Sequence, residues 1–390
     1  MSAVTVTQAM DPRPFAGLEV AVPAEQRSRI DFVLALRRHW ANGLYAALRA
    51  QYDARLEGIA ADARPRTGEQ AGPIVADLPL YPAFAWFERN EQKMKWRAVT
   101  AACEAERTKL VAALNMPVAR PIGSLELHPS LDLPDYYRNT EFHIQPGGVW
   151  TADLNAFIYE LGAKVIFLGK NDDYVFHRLF TETAIPAGEY RDILDMGCGF
   201  GKSTRPFVDR FPKARVIGID LSAPVLKLAH RQAEKLGKRI GFIQRAAEDT
   251  GFADASFDLV TATMVIHEVP MPVLRRIFAE AHRLLRPGGR LAILDYHRTG
   301  DPFRDFLMLG HVRRNNEPYM GHLLRIDPAA LARDVGFADV ALLPFDERGG
   351  GPREDGTWPE RPDWHFPWVL LRGSKPVSPK LGAATPGGSS

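Results

Sequence analysis

The chain has 390 residues, of which 46% are hydrophobic and 25% charged, and its formal net charge is +2. That is enough apolar material for two domains or one large domain with an extension, and the near balance of charge, without a dense run of Lys and Arg, argues against nucleic acid or an anionic membrane as partner. Two cysteines, Cys103 and Cys198, cannot build a disulfide framework, and no stretch approaches the roughly eighteen uninterrupted apolar residues of a membrane span, so a soluble, cytoplasmic protein is expected.

In chain order, residues 1–22 show no sustained period and are expected to form an irregular arm. Over 23–59, Ile30, Val33, Leu36, Trp40, Leu44 and Leu48 recur at three and four, which predicts one or two amphipathic helices. Residues 68–80 carry Pro and Gly and read as a connector, and 82–114 again show a helical apolar face. Residues 117–148 are the least regular part of the front half, and they gather Tyr137, His143 and other polar and aromatic groups in a loop, a placement that favours binding. Two helices follow, over 152–168 and 172–183, the second with Asn171 as its cap.

The stretch from Asp192 to Thr204 is an apolar run followed by glycines at 197, 199 and 201, the pattern of a buried strand turning sharply into a helix. Glycine there lets a ligand approach the main chain, and the helix start offers unpaired N–H groups. A dinucleotide fingerprint, G-x-G-x-x-G, fails because the third position falls on Lys202. A phosphate-binding P-loop fails as well, since its first glycine would have to be Met196. A second strand over 214–220 ends in Asp220, roughly twenty residues on, where a ribose-binding carboxylate is expected. Ser222 then caps a helix over 223–237. Residues 256–262 form a further strand, and 284–295 give a helix end, a Pro-Gly-Gly stop and another buried strand. Helices over 301–308 and 328–335, a strand over 340–344, a glycine loop at 349–352 and a last strand over 366–371 complete the chain before a Gly, Pro and Ser-rich tail.

The motif Asp195-x-Gly197-x-Gly199-x-Gly201, the acidic strand end at Asp220 and the Pro287-Gly288-Gly289 join together resemble the class I methyltransferases that use S-adenosylmethionine (SAM), in particular the ubiquinone/menaquinone-biosynthesis type, over residues 192–371. The resemblance implies an α/β fold, a seven-stranded, mostly parallel Rossmann-like sheet whose last strand is antiparallel, preceded by a helical N-terminal extension. It divides the chain into residues 1–185 (acceptor cover or dimerisation), 186–373 (methyltransferase domain) and 374–390 (tail). It further implies SAM as cofactor, held by Asp195, Gly197, Cys198, Gly199, Gly201, Asp220, Leu221, Ala247, Glu248 and Met264. The family's adenine-reading acid is replaced by Ala246, which leaves Glu248 or Asp249 for that role. An aromatic residue upstream of the glycines often covers the cofactor in such enzymes, which points to Tyr137 and His143.

Methyl transfer is an in-line displacement in which positioning is worth about 7–11 kcal/mol and a general base on the order of 10² to 10⁴ in rate. The base candidates are His267, then Glu268, at the exit of the strand over 256–262, with His297 after the next strand and His143 as second choices. The histidines show no metal-ligand spacing, so no metal is expected. The reading is a methyltransferase acting on a small-molecule acceptor, without nucleic-acid or membrane partners and with a homodimer formed through the N-terminal helices. A protein or RNA methyltransferase and a non-catalytic SAM-binding protein are the alternatives.

Overall fold

The computed structural model describes residues 18–167 and 174–377. Most of the expected arm, the Asn171 cap and the tail beyond Val377 lie outside those residues. The front third is helical. Helix α1 (Ala24–His39) passes through a π-helical turn, Trp40–Leu44, into α2 (Tyr45–Glu57), and both bury an apolar stripe that includes Val33, Tyr45 and Leu48.

The segment expected to be a connector is instead helix α3 (Gly68–Ala76), and close packing is the reason. The Thr67 hydroxyl accepts the Gln70 N–H as a cap, and a Cβ on Gly68 would stand 2.7 Å from the Phe306 backbone nitrogen. The glycines are there for approach to a later helix, not to break this one. Helices α4 (Tyr81–Ala105) and α5 (Arg107–Asn115) follow, then a three-residue strand β1 (Ser124–Glu126) and the short helix α6 (Asp135–Arg138) inside the stretch read as irregular. Helix α7 (Asp153–Ile166) is as expected; α8 (Val175–Ala184) starts later than the sequence suggested, with Tyr174 at φ 65° before it.

From there strands and helices alternate, except that β4 leads to β5 without a helix: β2 (Asp192–Met196), α9 (Arg205–Arg210), β3 (Arg215–Asp220), α10 (Ala223–Lys235), β4 (Gly241–Gln244), β5 (Phe257–Thr263), α11 (Met271–Leu284) and β6 (Leu285–Tyr296). Helices α12 (Pro302–Arg314), α13 (Met320–Leu323) and α14 (Pro328–Val335) lead to β7 (Ala338–Asp346), the two-residue β8 (Gly351–Pro352) and β9 (Trp368–Ser374). Asp301 caps α12 and Gly336, at φ 113°, ends α14.

The sheet has nine strands in the order β1-β4-β3-β2-β5-β6-β9-β7-β8. This corrects the expected seven. The two additional strands are the edges, β1 parallel to β4 and β8 antiparallel to β7, and β8 lies in the stretch read as a glycine loop. Between them the pairs from β4 to β6 are parallel, and β9 runs antiparallel between β6 and β7, as the resemblance implied. The chain leaves β2 toward β3 on one side and returns to β5 on the other. That reversal opens a crevice beyond the carboxyl ends of β2 and β5, where open α/β sheets bind ligands.

Candidate functional site

The crevice leads into a cavity of about 390 Å³. Its first wall is the turn after β2. A Cβ on Gly197 (φ 66°) would fall 2.4 Å from Val265, whereas one on Gly199 (φ 51°) would meet nothing nearer than the Tyr159 ring at 3.9 Å. Gly199 is thus the point at which the main chain lies open to a ligand. Gly201 is different. It does not line the cavity, and its missing side chain makes room for Phe242 and Ala229, which a Cβ there would meet at 3.1 and 3.2 Å.

Asp220, at the end of β3, lines the cavity. One oxygen accepts the Gly199 N–H at 2.9 Å and the other the Ser222 N–H at 2.8 Å. Each carboxylate oxygen retains acceptor capacity beyond these bonds. Burial raises the Asp220 carboxyl to about 6, against the pull of the two N–H donors. Asp195 corrects a second expectation: it is fully buried and outside the cavity wall, and it accepts from Ser203 at 2.6 Å, Thr204 at 2.7 Å and Thr261 at 3.2 Å. It braces the turn and does not face a ligand.

Cys198, Leu221, Ala247, Glu248 and Met264 share the wall with Gly197, Gly199 and Asp220. Glu248 accepts the Tyr136 hydroxyl at 3.0 Å, while Asp249 is outside the wall because the chain folds back there in an Ala246–Asp249 bridge. Tyr136 had no signal in the sequence beyond its place in an aromatic loop. Its neighbour Tyr137 is buried, lines the cavity and packs on Trp150 with ring centroids 4.9 Å apart.

On the far side of the cavity, beyond Met264, stands a chain of buried ionisable groups. His267 is 1% exposed, and its Nδ1–H donates to Asp295 at 2.7 Å. Asp295 also accepts the N–H groups of Val265, Ile266 and Tyr296, so the acid is fixed by the backbone and in turn fixes the imidazole. The His267 Nε2 has no partner, with Glu268 at 3.8 Å. Burial opposes protonation of His267, but Asp295 and Glu268 outweigh it and raise its pKa. His143 lies between two carboxylates, Glu317 on Nδ1 and Glu268 on Nε2 at 3.0 Å. Against the cost of burial they push it up to about 10, so it is an imidazolium at neutral pH. His143 holds a left-handed backbone, φ 56°, while its carbonyl accepts the Trp96 indole N–H at 2.7 Å.

Glu317 was not singled out from sequence, and no local pattern marks it. Asp295 carried a signal, as the acid closing a buried strand. His297 is corrected: just past the end of β6 it is outside the cavity wall, and its Nε2 donates to the Ile326 carbonyl at 3.0 Å.

These walls fit the nucleoside and amino-acid ends of SAM on three grounds: open space at Gly199, a carboxylate with spare acceptor capacity at Asp220, and apolar surface from Ala247 and Met264. Residues 193–289 match the family model described as a methyltransferase domain. The demethylmenaquinone methyltransferase of Thermus thermophilus is 30% identical over 35% of this chain and 60% of its own length. The ubiquinone/menaquinone biosynthesis C-methyltransferase of Paracoccus denitrificans is 34% identical over 35% of this chain and 54% of its own. The chain thus spans little more than half the length of these curated relatives. A solved phosphoethanolamine N-methyltransferase from Haemonchus contortus in complex with SAM aligns at 20% identity and a TM-score of 0.41, over 58% of this chain and 57% of that one.

Proposed function

We propose that the chain, whose residues 193–289 match the methyltransferase domain model, transfers a methyl group from SAM to a small-molecule acceptor. The observation that carries this reading is the Asp220 carboxylate, held by the Gly199 and Ser222 N–H groups in the wall of the cavity. SAM supplies a methyl group already activated on a sulfonium. Gly199 gives the ligand main-chain contact, and Asp220 offers acceptors to the two ribose hydroxyls. Tyr137 covers that end, and the N-terminal helices, through Trp40 on the π turn and Gln92 on α4, close the acceptor end against water. Residues 1–185 are then the acceptor cover, 186–373 the methyltransferase domain and 374–390 a tail.

His267 acts as general base. Its Nδ1–H is committed to Asp295, which leaves the Nε2 lone pair unpartnered, to take a proton from a hydroxyl or acidic carbon as the methyl arrives, or from a protonated amine before it does. Glu268, neutralised in part by the His143 imidazolium, lies close enough to stabilise the His267 cation that results.

Among the described residues no helix is long and apolar enough to cross a membrane, and the chain is proposed to work in the cytoplasm. A homodimer would use the apolar side chains that α1 and α4 leave exposed, Phe32 and Trp86. Light scattering of Phe32→Asp and Trp86→Asp should then show a smaller particle, and an unchanged one removes the dimer. The reaction itself is tested by S-adenosylhomocysteine release across a metabolite panel. Product with a low-molecular-weight extract treated with protease and RNase supports a small acceptor. SAM binding without turnover on any acceptor would leave a non-catalytic SAM-binding protein.

A further inference from the structure

Away from the glycine turn the cavity follows a row of rings. Centroids step 5.0 Å from His267 to Tyr296 and 4.9 Å from Tyr296 to Phe366. The wall beyond is the segment that leads into β9. It is pinned to the N-terminal helices where the Trp364 N–H donates to the Ala41 carbonyl, in the π turn, at 2.7 Å. π turns of this kind are frequent at functional sites.

The group of interest is Arg361. Its side chain is 6% exposed and lines the cavity, and Nη1 donates to Glu347 at 2.5 Å. Nε and Nη2 donate to nothing. Asp363 stands 3.7 Å from Nε, too far for a hydrogen bond, and its other oxygen is taken by Arg348. Nε and Nη2 share one edge of the guanidinium and point the same way, so the unfilled donors form a fork matched to the two oxygens of a carboxylate. The indole N–H of Trp364, on the same wall, is also unfilled, as are one oxygen each of Glu347 and Asp363.

Arg304 stands behind His365, with Nη2 donating to its Nε2 at 2.8 Å, and Asp301 and Asp305 balance its charge. Burial, then Arg304 and Arg361, push His365 down to about 2, and it stays neutral. A buried guanidinium with an empty edge loses hydration without return unless a ligand or water fills it.

We propose that the Nε and Nη2 edge of Arg361 is a carboxylate subsite, and that the methyl acceptor is an aromatic or aliphatic acid whose body lies along Phe366 and Tyr296 with its reacting atom toward His267. This rests on the methyl-transfer reading and adds the acceptor's chemical class to it.

The test is calorimetry of the full chain loaded with S-adenosylhomocysteine, titrated with arylacetic, hydroxybenzoic and medium-chain fatty acids, each beside its own carboxamide. At least one acid should bind roughly tenfold or more tightly than its amide, the difference a charge-assisted fork supplies. Arg361→Met should erase that preference and leave S-adenosylhomocysteine affinity within about twofold, since the two ends share no partner. Arg361→Lys, which keeps the charge without the fork, should retain only part of the preference and serves if the Met variant does not fold. Acids that bind no better than their amides to the wild-type chain, with S-adenosylhomocysteine bound normally, would overturn the subsite and leave methyl transfer standing. No binding of S-adenosylhomocysteine would remove the reading of the glycine turn, and the proposal with it.

Discussion

The two ends of the cavity are built differently. At the end proposed for the cofactor the wall comes from Gly197, Gly199, Asp220, Leu221, Ala247 and Met264, at or just beyond the carboxyl ends of adjacent strands. Much of the grip there is backbone, as in the Gly199 and Ser222 N–H groups that orient Asp220. At the acceptor end the wall is drawn from Trp40, His143, Glu317, Arg361 and Phe366, which are scattered over most of the chain. Its character comes from side-chain charge and aromatic area. A grip made by the backbone of a motif suits any protein that holds the same cofactor, while one assembled from distant side chains can be changed without disturbing it. The cofactor end therefore speaks to reaction class and the acceptor end to substrate.

Substitutions at either end should separate along that line. The largest effect is expected from His267→Gln, which removes the base and should lower turnover by on the order of 10² to 10⁴ with SAM affinity nearly intact. Because Asp295 and Glu268 raise the His267 pKa above its usual 6.5, wild-type turnover should climb with pH through a midpoint above that value, and the limb should vanish in the variant. Unchanged turnover, or the same pH limb in His267→Gln, would take His267 out of the mechanism.

At the cofactor end, Gly199→Val places a side chain in the open space and Asp220→Ala leaves the ribose hydroxyls unpaired. Each should weaken SAM by roughly tenfold or more in calorimetry. Wild-type affinity in both would contradict the assigned pocket.

A smaller effect, on stability, is expected from His143. Its folded pKa of about 10 exceeds the ordinary histidine value of 6.5, so its contribution is complete below about pH 6.5 and is lost as pH rises toward 10. Thermal melts should show wild type losing more stability than His143→Asn between about pH 7 and 10, by on the order of a few kcal/mol, Asn being chosen because it tolerates the left-handed backbone. Parallel curves would mean that the imidazolium is not held by Glu317 and Glu268. The smallest effect belongs to His297→Gln, which lies outside both ends. Turnover within about twofold of wild type is expected, as for a residue with no shared partner.

What the sequence disclosed follows the same division. The glycine turn, Asp220 at a strand end and the strands β2, β3, β5 and β6 were legible because each is a local pattern: a strand's apolar run, a turn's glycines, an acid at a strand end. Motif membership misled where it was taken for exposure. Asp195 and Gly201 occupy motif positions but point inward, one bracing Ser203 and Thr204 and the other making room for Phe242. Helix α3 was hidden because the glycines that let it approach α12 look like breakers, and β1 because three residues are too few to show a period. Glu317 and Arg361 were invisible for a simpler reason. Their partners, His143 and Glu347, are brought to them by the fold, and Arg361 is notable for the donors it leaves unfilled.

Asp220 and the open main chain at Gly199 are proposed to hold a nucleoside. A crystal structure with S-adenosylhomocysteine tests it most directly. Both ribose hydroxyls are expected on the Asp220 carboxylate, with the adenine against Ala247 and Met264 and the sulfur facing His267. A ligand seated elsewhere, or a ribose turned away from Asp220, would contradict it.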